Sequence, residues 1–185
     1  GKALAEEFTK RGWNVNETAA AAITFDELNT LKERTDGAAY ALEGAGFPRE
    51  RIFRSAEKTT DQPGACDAAN TLLIQHPEIR RWLVFSVNDE GVLGAVRAME
   101  NRGFDSDTVI GIGIGGQTAI EEFRKDNPTG FFGSCLLDCR RHGYETTELM
   151  YKWIRDGVAP PKDTRTQGIM IYRDTYLKVM AEHGF

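Results

Sequence analysis

The sequence has no long apolar segment and few residues that form disulfides or metal sites. No stretch approaches the ~18 consecutive apolar residues that a membrane span needs. The cysteines number three, without a CxxC pair, which does not suggest a disulfide framework or a zinc site. The net charge of −5 argues against nucleic acid or an anionic membrane surface as a partner. We therefore expect a globular chain of 185 residues with no metal, no cofactor, no nucleic-acid partner and no membrane insertion.

The side-chain patterns of hydrolytic enzymes are missing as well. The histidines, His76, His142 and His183, are scattered along the chain. Ser86 and Ser134 follow apolar residues, but neither stands in the GxSxG turn that exposes a nucleophilic serine. The residues therefore favour a protein that is not an enzyme.

Two segments of the sequence are typical of buried parallel strands. Residues 81–89 and 107–116 each hold a short apolar run that stops at small or polar residues and is followed by a helical pattern. A strand covered by helices on both faces has this pattern. The residues that follow such a strand lie at the carboxyl edge of the sheet, where open α/β folds bind ligands. We expect the functional site at that edge.

Strand-like and helix-like segments alternate along the whole chain. Strands are predicted at 18–24, 51–55, 82–87, 108–114, 130–137 and 168–172. Helices are predicted up to residue 11 and at 27–45, 62–75, 91–101, 117–125 and 141–155, with a last helix capped by Asp174. Strands separated by helices form right-handed βαβ units. The predicted fold class is therefore α/β, with three layers built on a parallel sheet.

The predicted helix at 141–155 has an apolar face without an evident partner. Leu149, Trp153 and Ile154 form this face. Pro160-Pro161 breaks the chain after it, since neither proline donates a backbone hydrogen bond. The face covers this sheet or belongs to a second lobe. Residue 1 opens inside a helical pattern, so we also expect the chain to be part of a longer protein.

One motif favours a different function. Gly111, Gly113 and Gly116 fit the spacing of the dinucleotide-binding fingerprint, after a strand and before a helix. Asp138 lies 27 residues beyond Gly111, later than the usual ~20, and the first glycine falls inside the apolar run. A nicotinamide- or flavin-dependent oxidoreductase with its cofactor at 111–116 is therefore a less favoured alternative.

A series of short motifs runs through nearly the whole chain. They include Lys10-Arg11-Gly12-Trp13, Ala45-Gly46-Phe47-Pro48 and His142-Gly143-Tyr144, together with residues 22–24, 27–28, 30, 34–35, 63–65, 67–70, 75–78, 82–83, 88–89, 92–94, 96–98 and 110–114. In this order they resemble the arabinose-binding family of bacterial periplasmic sugar-binding proteins, which serve ABC importers. The resemblance implies a type I fold, in which two α/β lobes joined by three crossover strands close on a monosaccharide.

The resemblance also divides the chain. It implies that residues 1–137 form the C-terminal sugar-binding lobe, that residues 138–167 form a hinge crossover and a helix of the N-terminal lobe, and that residues 168–185 return into the C-terminal lobe. Nearly all of the N-terminal lobe is then outside this sequence. The implied partners are a monosaccharide, the membrane permease of an ABC transporter and that N-terminal lobe. The implied location is the periplasm.

The resemblance assigns five side chains to the ligand. A monosaccharide is a ring of hydroxyls, so planar side chains with several hydrogen-bonding groups suit it best. Arg34 matches an arginine that holds the ring oxygen and a hydroxyl, and Asn88 matches an asparagine that binds two hydroxyls. Val87 replaces a methionine that packs on the sugar, while Leu28 and Thr30 match residues of the same wall. Taken by themselves, Arg34 could be a solvated helix residue and Asn88 an N-cap.

The end of the fourth predicted strand departs from the family pattern. Gly115 and Thr118 stand where the family has an asparagine and an aspartate, so two hydroxyl partners are lost. Gln117 or Thr118 could substitute for them, or a larger ligand could fill the space. A buried hydroxyl without its partner costs ~1–3 kcal/mol, so these departures affect which sugar binds. Asp89 could also reach a ligand, although a carboxylate there more often stabilises the helix N-terminus.

A second group of proteins shares the implied fold. The effector lobe of lactose-repressor-like transcription regulators resembles it, with a DNA-binding headpiece in front of that lobe. The present chain is acidic and contains no helix-turn-helix pattern of its own. The sequence in front of residue 1 would separate the two alternatives, because it would hold either an export signal or a headpiece.

Overall fold

The predicted alternation of strands and helices is present in the computed structural model, which describes residues 1–164 and 167–183. The strands are β1 (Thr18–Thr24), β2 (Ile52–Ala56), β3 (Arg81–Phe85), β4 (Val109–Gly115), β5 (Phe131–Leu136) and β6 (Ile169–Tyr172). The helices are α1 (Lys2–Lys10), α2 (Asn29–Gly44), α3 (Gln62–Gln75), α4 (Asp89–Glu100), α5 (Gln117–Phe123), α6 (Cys139–Asp156) and α7 (Tyr176–Glu182). Short 3-10 turns, Val15–Glu17 and Arg49–Arg51, precede β1 and β2.

The sheet has the strand order β2-β1-β3-β4-β5-β6. Strands β1 to β5 are parallel, so their carboxyl ends meet along one edge. Strand β6 is antiparallel to β5, with Leu136 opposite Ile169 and Gly133 opposite Tyr172. The expectation of a parallel sheet is therefore wrong for the last strand. The chain leaves β5 at the carboxyl edge and returns at the same edge after α6, so β6 has to run in the opposite direction.

Helices cover both faces of the sheet. Residues of α3, α4 and α5 pack in one apolar core, and residues of α1 and α2 pack in the other. Strand β1 is buried at all seven positions, with Ala19 and Ala21 in the first core and Ala20 and Ala22 in the second. Small side chains on both faces allow helices to approach the sheet closely here. This burial holds the end of β1, and the residues after it, at the carboxyl edge between β2 and β3.

Helix α6 stands apart from both cores. None of its residues is buried, and Trp153 and Ile154 are 49% and 79% exposed. The predicted apolar face is therefore present and has no partner within the described residues. Within those residues, no helix is both long and apolar enough to cross a membrane.

The last helix begins one residue later than predicted. Thr175, and not Asp174, is the N-cap of α7. The Thr175 backbone N–H donates to the Tyr172 carbonyl oxygen at 3.0 Å. Asp174, the predicted cap, is therefore part of a turn that follows β6. Residues 165–166 of the predicted crossover, 138–167, lie outside the described residues. The same is true of residues 184–185 in the predicted return segment, 168–185.

Candidate ligand site at the carboxyl edge of the sheet

Arg34 is held at the carboxyl edge by the end of β3. Its Nη1 donates a hydrogen bond to the carbonyl oxygen of Val87 at 2.7 Å, which joins the second turn of α2 to the residue before Asn88. A guanidinium has five N–H donors, so four remain after this bond. The residue is exposed, and within the described residues no other hydrogen bond or salt bridge uses it. The structure thus brings Arg34, Val87 and Asn88 together and leaves donors available to a ligand.

Asn88 is fixed from two sides. Its Oδ1 accepts a hydrogen bond from the Gly91 N–H at 2.7 Å, which makes it the N-cap of α4. Its Nδ2 donates to the carbonyl oxygen of Thr60 at 2.9 Å. The N-cap interpretation is therefore confirmed. One N–H and one lone pair of the amide stay available, so the cap also leaves room for a ligand contact.

Asp89 has a structural role that the sequence did not indicate. It is 1% exposed, and its Oδ2 accepts from the Gly116 N–H while its Oδ1 accepts from the Ser134 hydroxyl, both at 2.6 Å. Burial raises the pKa of Asp89, although these two hydrogen bonds act in the opposite direction. The carboxylate joins the start of α4 to the turn after β4 and to β5. The interpretation as a helix-dipole partner was thus incomplete, because Ser134 is 45 positions away in the chain.

The backbone at the end of β4 has a conformation that favours glycine. Gly115 and Gly116 have φ angles of +132° and +96°, which residues with a Cβ rarely adopt. A Cβ on Gly116 would collide with Leu136, and one on Gly115 would lie 3.3 Å from the Asp89 carboxylate. An asparagine at position 115 would therefore be strained in this conformation.

The glycine fingerprint has a different role from the one in dinucleotide-binding proteins. Gly111 and Gly113 lie within β4, where an added Cβ would collide with Val92 and Asp89 respectively. Gly116 alone of the three stands in the turn, as the N-cap of α5. These glycines allow α4 to pack closely on β4. The geometry therefore removes the main support for a nicotinamide or flavin site at 111–116.

Thr118 is hydrogen-bonded to a carboxylate. Its hydroxyl donates to Glu90 Oε1 at 2.6 Å, joining the first turn of α5 to the first turn of α4. Gln117 is exposed beside it. Of the two residues expected to substitute for the lost hydroxyl partners, Thr118 already has a hydrogen-bond partner, while Gln117 has none within 1–164 and 167–183.

The predicted wall residues are exposed at the same edge. Leu28, 53% exposed, comes directly before α2, and Thr30 lies in the first turn of that helix. Both follow β1 and are on the segment that leads to Arg34. An exposed leucine between β1 and α2 is compatible with a surface that another body covers.

Glu57 was not expected from the sequence. It follows β2, is 5% exposed, and neither carboxylate oxygen has a hydrogen-bond partner within the described residues. Burial, with a smaller contribution from the negative charge of Asp61, raises the pKa of Glu57 to about 7. No sequence signal could have identified this residue, because its burial depends on the packing of the loop that leads into α3.

The opposite edge of the sheet also has a cavity, lined in part by Arg11, Ser106 and Arg173. Its arginines already have structural partners: Arg11 donates to the Ser106 carbonyl oxygen, and Arg173 donates to the carbonyl oxygens of Glu122 near the end of α5 and of Lys125 and Asn127 after it. None of the predicted site residues lies there. No group of three or more His, Cys, Asp or Glu side chains that could hold a metal occurs in 1–164 and 167–183.

A mostly parallel sheet with helices on both faces, whose polar groups converge at the carboxyl edge, defines a ligand-binding lobe of the type I periplasmic-binding-protein kind. The chain belongs to the family described as periplasmic binding proteins and sugar-binding domain of the LacI family, whose model matches residues 1–178. The expected resemblance is confirmed by this match.

Two curated relatives are similar over all 185 residues. They are the L-arabinose-binding periplasmic protein of Escherichia coli strain K12, 45% identical, and the ABC transporter L-arabinose-binding periplasmic protein of Azospirillum brasilense, 44% identical. The chain covers 56% and 55% of their lengths, so it spans little more than half of each.

Solved structures share the fold at lower identity. A periplasmic solute-binding protein of an ABC transporter from Actinobacillus succinogenes, with bound D-allose, has a TM-score of 0.74 at 19% identity, over 95% of this chain and 58% of that one. A LacI family transcriptional regulator from Arthrobacter sp. FB24 has a TM-score of 0.65 at 18% identity, over 92% of this chain and 61% of that one. The fold alone is therefore common to transport proteins and regulators.

Proposed function

We propose that this chain is the C-terminal lobe of a periplasmic protein that binds a monosaccharide, an arabinose-like pentose or a related hexose, and delivers it to the permease of an ABC importer without catalysis. The observation that carries the proposal is the fixed group formed by Arg34, Val87 and Asn88 at the carboxyl edge. The identity of 45% to an L-arabinose-binding protein over the whole chain supports it. Free guanidinium and amide groups held side by side suit the adjacent hydroxyls of a sugar.

The proposal includes the division at 137/138 and 167/168. Helix α6 leaves the lobe after Leu136 and has an unpartnered apolar face, as a helix of a second lobe would. The chain returns directly beside its exit, because a Cβ on Gly168 would collide with Cys135 and lie 3.5 Å from the Leu137 side chain. The start of α1 is close as well, since the amino group of Gly1 interacts electrostatically with Cys135. Three segments near one point of the edge are compatible with three crossovers.

The proposed mechanism is hinge closure. A sugar that binds Arg34 and Asn88 on this lobe, and further groups on the N-terminal lobe, stabilises the closed arrangement relative to the open one. The permease then recognises the closed form. Because half of the cleft belongs to the other lobe, the binding energy depends on both.

A second candidate is the effector lobe of a lactose-repressor-like regulator, and the fold similarity to such a regulator favours it. The 44–45% identity to two periplasmic proteins supports the importer component more strongly. The sequence that precedes residue 1 in the complete protein distinguishes the two, because an export signal and a helix-turn-helix headpiece are easily told apart.

The experiment that tests the proposal is a thermal-shift screen of the complete protein with L-arabinose, D-ribose, D-galactose, D-allose, NAD and NADP. A ligand that binds the folded state raises the Tm with its concentration. A sugar that raises the Tm supports the importer or regulator reading, and its stereochemistry reports what Gly115 and Thr118 tolerate. A shift with a dinucleotide alone would overturn the proposal and return attention to the glycines of β4.

A further inference from the structure

A cavity of about 550 Å³ lies at the amino edge of the sheet, opposite the edge that holds the candidate ligand site. Arg80 directly precedes β3, and Thr108 directly precedes β4. The Trp82 N–H donates to the Thr108 carbonyl oxygen at 2.9 Å, which joins the starts of these two strands. Arg102 follows the end of α4, and His76 is the C-cap of α3. This space between two strand starts and two helix ends is the two-arginine cavity.

One wall of the two-arginine cavity is apolar. Leu73 and Ile79 line it and are buried members of the first core, and Phe104, which also lines it, packs against that core. Pro77 adds a rigid apolar surface beside them. The volume lies in the range of roughly 300–1,000 Å³ that is typical of small-molecule sites, which are mostly apolar with a few polar groups. The wall therefore suits the organic part of a small ligand.

Both arginines of this cavity have unengaged guanidinium groups. Neither Arg80 nor Arg102 makes a side-chain hydrogen bond or a salt bridge with any residue that the structure describes, and only their backbone N–H groups donate. The arginines of the cavity beside β5 and β6 differ in this respect, because Arg11 and Arg173 donate to backbone carbonyl oxygens. A guanidinium offers five N–H donors in a planar fork. Two such forks therefore border one space without an acceptor.

The acids around the two-arginine cavity do not neutralise its arginines. Glu17 Oε2 accepts from Arg81 Nη1 at 2.6 Å. Asp105 Oδ1 accepts from the Thr108 hydroxyl at 2.8 Å. Glu78 lies 3.5 Å from Nδ1 of the histidine that lines the cavity. Among the described residues, none that lines the cavity is acidic. The local charge of the lining is therefore positive, although the whole chain has a net charge of −5.

The helix ends explain only part of this arrangement. A cation near the C-terminus of a helix interacts favourably with its dipole, but the interaction is small. The carbonyl oxygens of the last turn of α4 already accept the backbone N–H groups of residues 101–104, so the end of this helix is satisfied without a side chain. The N–H donors of the two guanidinium groups thus stay available to an anion.

We propose that the two-arginine cavity binds a small phosphate monoester, whose phosphoryl oxygens accept hydrogen bonds from Arg80 and Arg102 and whose organic part lies against the apolar wall. A phosphate monoester carries a charge of roughly −1.5 to −2 at pH 7. Its three terminal oxygens match two arginine forks, whereas a carboxylate has one charge and two oxygens. The site is at the edge opposite Arg34 and Asn88, so the inference does not depend on the proposed function.

The test is isothermal titration of the complete protein with phenyl phosphate at pH 7.5 and low ionic strength. Arg80→Gln and Arg102→Gln should each weaken binding at least tenfold, because each removes one charged fork from the phosphoryl group. Arg102→Lys keeps the charge and loses the planar fork, so it should weaken binding less than Arg102→Gln. Arg124→Gln removes the same charge from an exposed position outside the cavity and should leave the dissociation constant unchanged.

Inorganic phosphate and benzoate test the two halves of the ligand. Inorganic phosphate lacks the organic part and benzoate lacks the second charge, so each should bind the wild type at least tenfold more weakly than phenyl phosphate. Equal affinity for inorganic phosphate overturns the assignment of an ester, and equal affinity for benzoate overturns the assignment of a phosphoryl group. No binding of phenyl phosphate, or binding that neither glutamine variant weakens, overturns the site.

The sugars of the thermal-shift screen separate this inference from the proposed function. Arg80→Gln should give the same sugar-dependent rise in Tm as the wild type, because the cavity and the candidate ligand site lie at opposite edges of the sheet. This rise also shows that the variant is folded. If phenyl phosphate binds as expected and no sugar raises the Tm of the wild type, the proposed function fails and this inference stands. If a sugar raises the Tm and phenyl phosphate does not bind, this inference alone fails.

Discussion

Asp89, the first residue of α4, is hydrogen-bonded to Ser134 of β5, whose hydroxyl donates to Asp89 Oδ1 at 2.6 Å. With the Gly116 N–H on Oδ2, the Asp89 carboxylate accepts from two buried donors. The side chain is 1% exposed, so water cannot replace either bond. This buried contact fixes the relative positions of the strand ends from which the site residues project.

Asp89→Ala should destabilise the lobe strongly. It leaves the Ser134 hydroxyl and the Gly116 N–H buried without an acceptor, and each such group costs ~1–3 kcal/mol, so we expect a loss of about 2–5 kcal/mol in the free energy of unfolding. Urea denaturation followed by circular dichroism measures it. Ser134→Ala removes a donor and strands nothing comparable, so it should cost only about 1 kcal/mol. Equal losses for both variants would contradict the bridging role.

Arg34→Ala should weaken sugar binding by at least tenfold in the complete protein. The substitution removes the free guanidinium donors and also the bond to the Val87 carbonyl that keeps them at the edge. Isothermal titration with the sugar selected by the thermal-shift screen measures the effect. Arg49→Ala removes the same charge at an exposed turn before β2 and serves as the control. A dissociation constant that Arg34→Ala leaves unchanged would remove this residue from the site.

Glu57 should make the stability of the lobe depend on pH. Burial raises its pKa from 4.5 to about 7, so the folded state holds the proton more tightly than the unfolded chain. The resulting stabilisation is complete below pH ~4.5 and is lost as the pH rises through ~7. Glu57→Gln is neutral throughout, so between pH 5 and 8 it should lose less stability than the wild type, by on the order of 2–3 kcal/mol.

The measurement for Glu57 is urea denaturation at pH 5 and pH 8. Any cost of burying an amide at position 57 is the same at both pH values and cancels in the comparison. Glu50→Gln, at an exposed position before β2, should follow the wild type at both pH values. Parallel pH dependence in the wild type and Glu57→Gln would show that the carboxyl is solvated, contrary to its 5% exposure.

The isolated 185-residue chain should self-associate through α6 and bind sugar poorly. Trp153 and Ile154 expose an apolar face that no described residue covers, and half of the proposed cleft is absent. Light scattering across a concentration series should detect dimers or larger species. The double substitution Trp153→Ser and Ile154→Ser should shift the chain towards monomer, while Tyr40→Ser, at an 81% exposed position on α2, should not. A monomer with full sugar affinity would contradict the division into lobes.

Local sequence patterns predicted most of the fold. Strand β1 and helix α3 begin and end at the predicted residues, 18–24 and 62–75, because an apolar run and a proline in the first helical turn are signals that act within a few residues. Asn88 was identifiable as a cap for the same reason. The direction of β6 was not predictable, since it depends on where a chain that leaves the lobe returns to it.

The candidate site was predictable in its location and only partly in its chemistry. The polar residues after β3 follow from the pattern, and the proposed ligand contacts of Arg34 and Asn88 rest on the resemblance. The contacts of Asp89 with Ser134 and of Glu90 with Thr118 join residues 45 and 28 positions apart, and the burial of Glu57 depends on loop packing. Such non-local pairs are set by the tertiary structure and leave no periodic signal in the sequence.

The antiparallel pairing of β5 and β6 has a mechanical consequence. The last residue of β5 and the first residue of β6 lie at the same edge of the sheet, and α6 stands between them in the chain. A force on α6 therefore pulls both strands along their own axes in one direction. The pair then moves as a unit, and its movement is opposed by the parallel hydrogen bonds between β4 and β5, which are loaded in shear. Shear breaks several hydrogen bonds at once, whereas peeling breaks them singly. The strand arrangement therefore lets α6 transmit a load without unravelling the edge of the sheet.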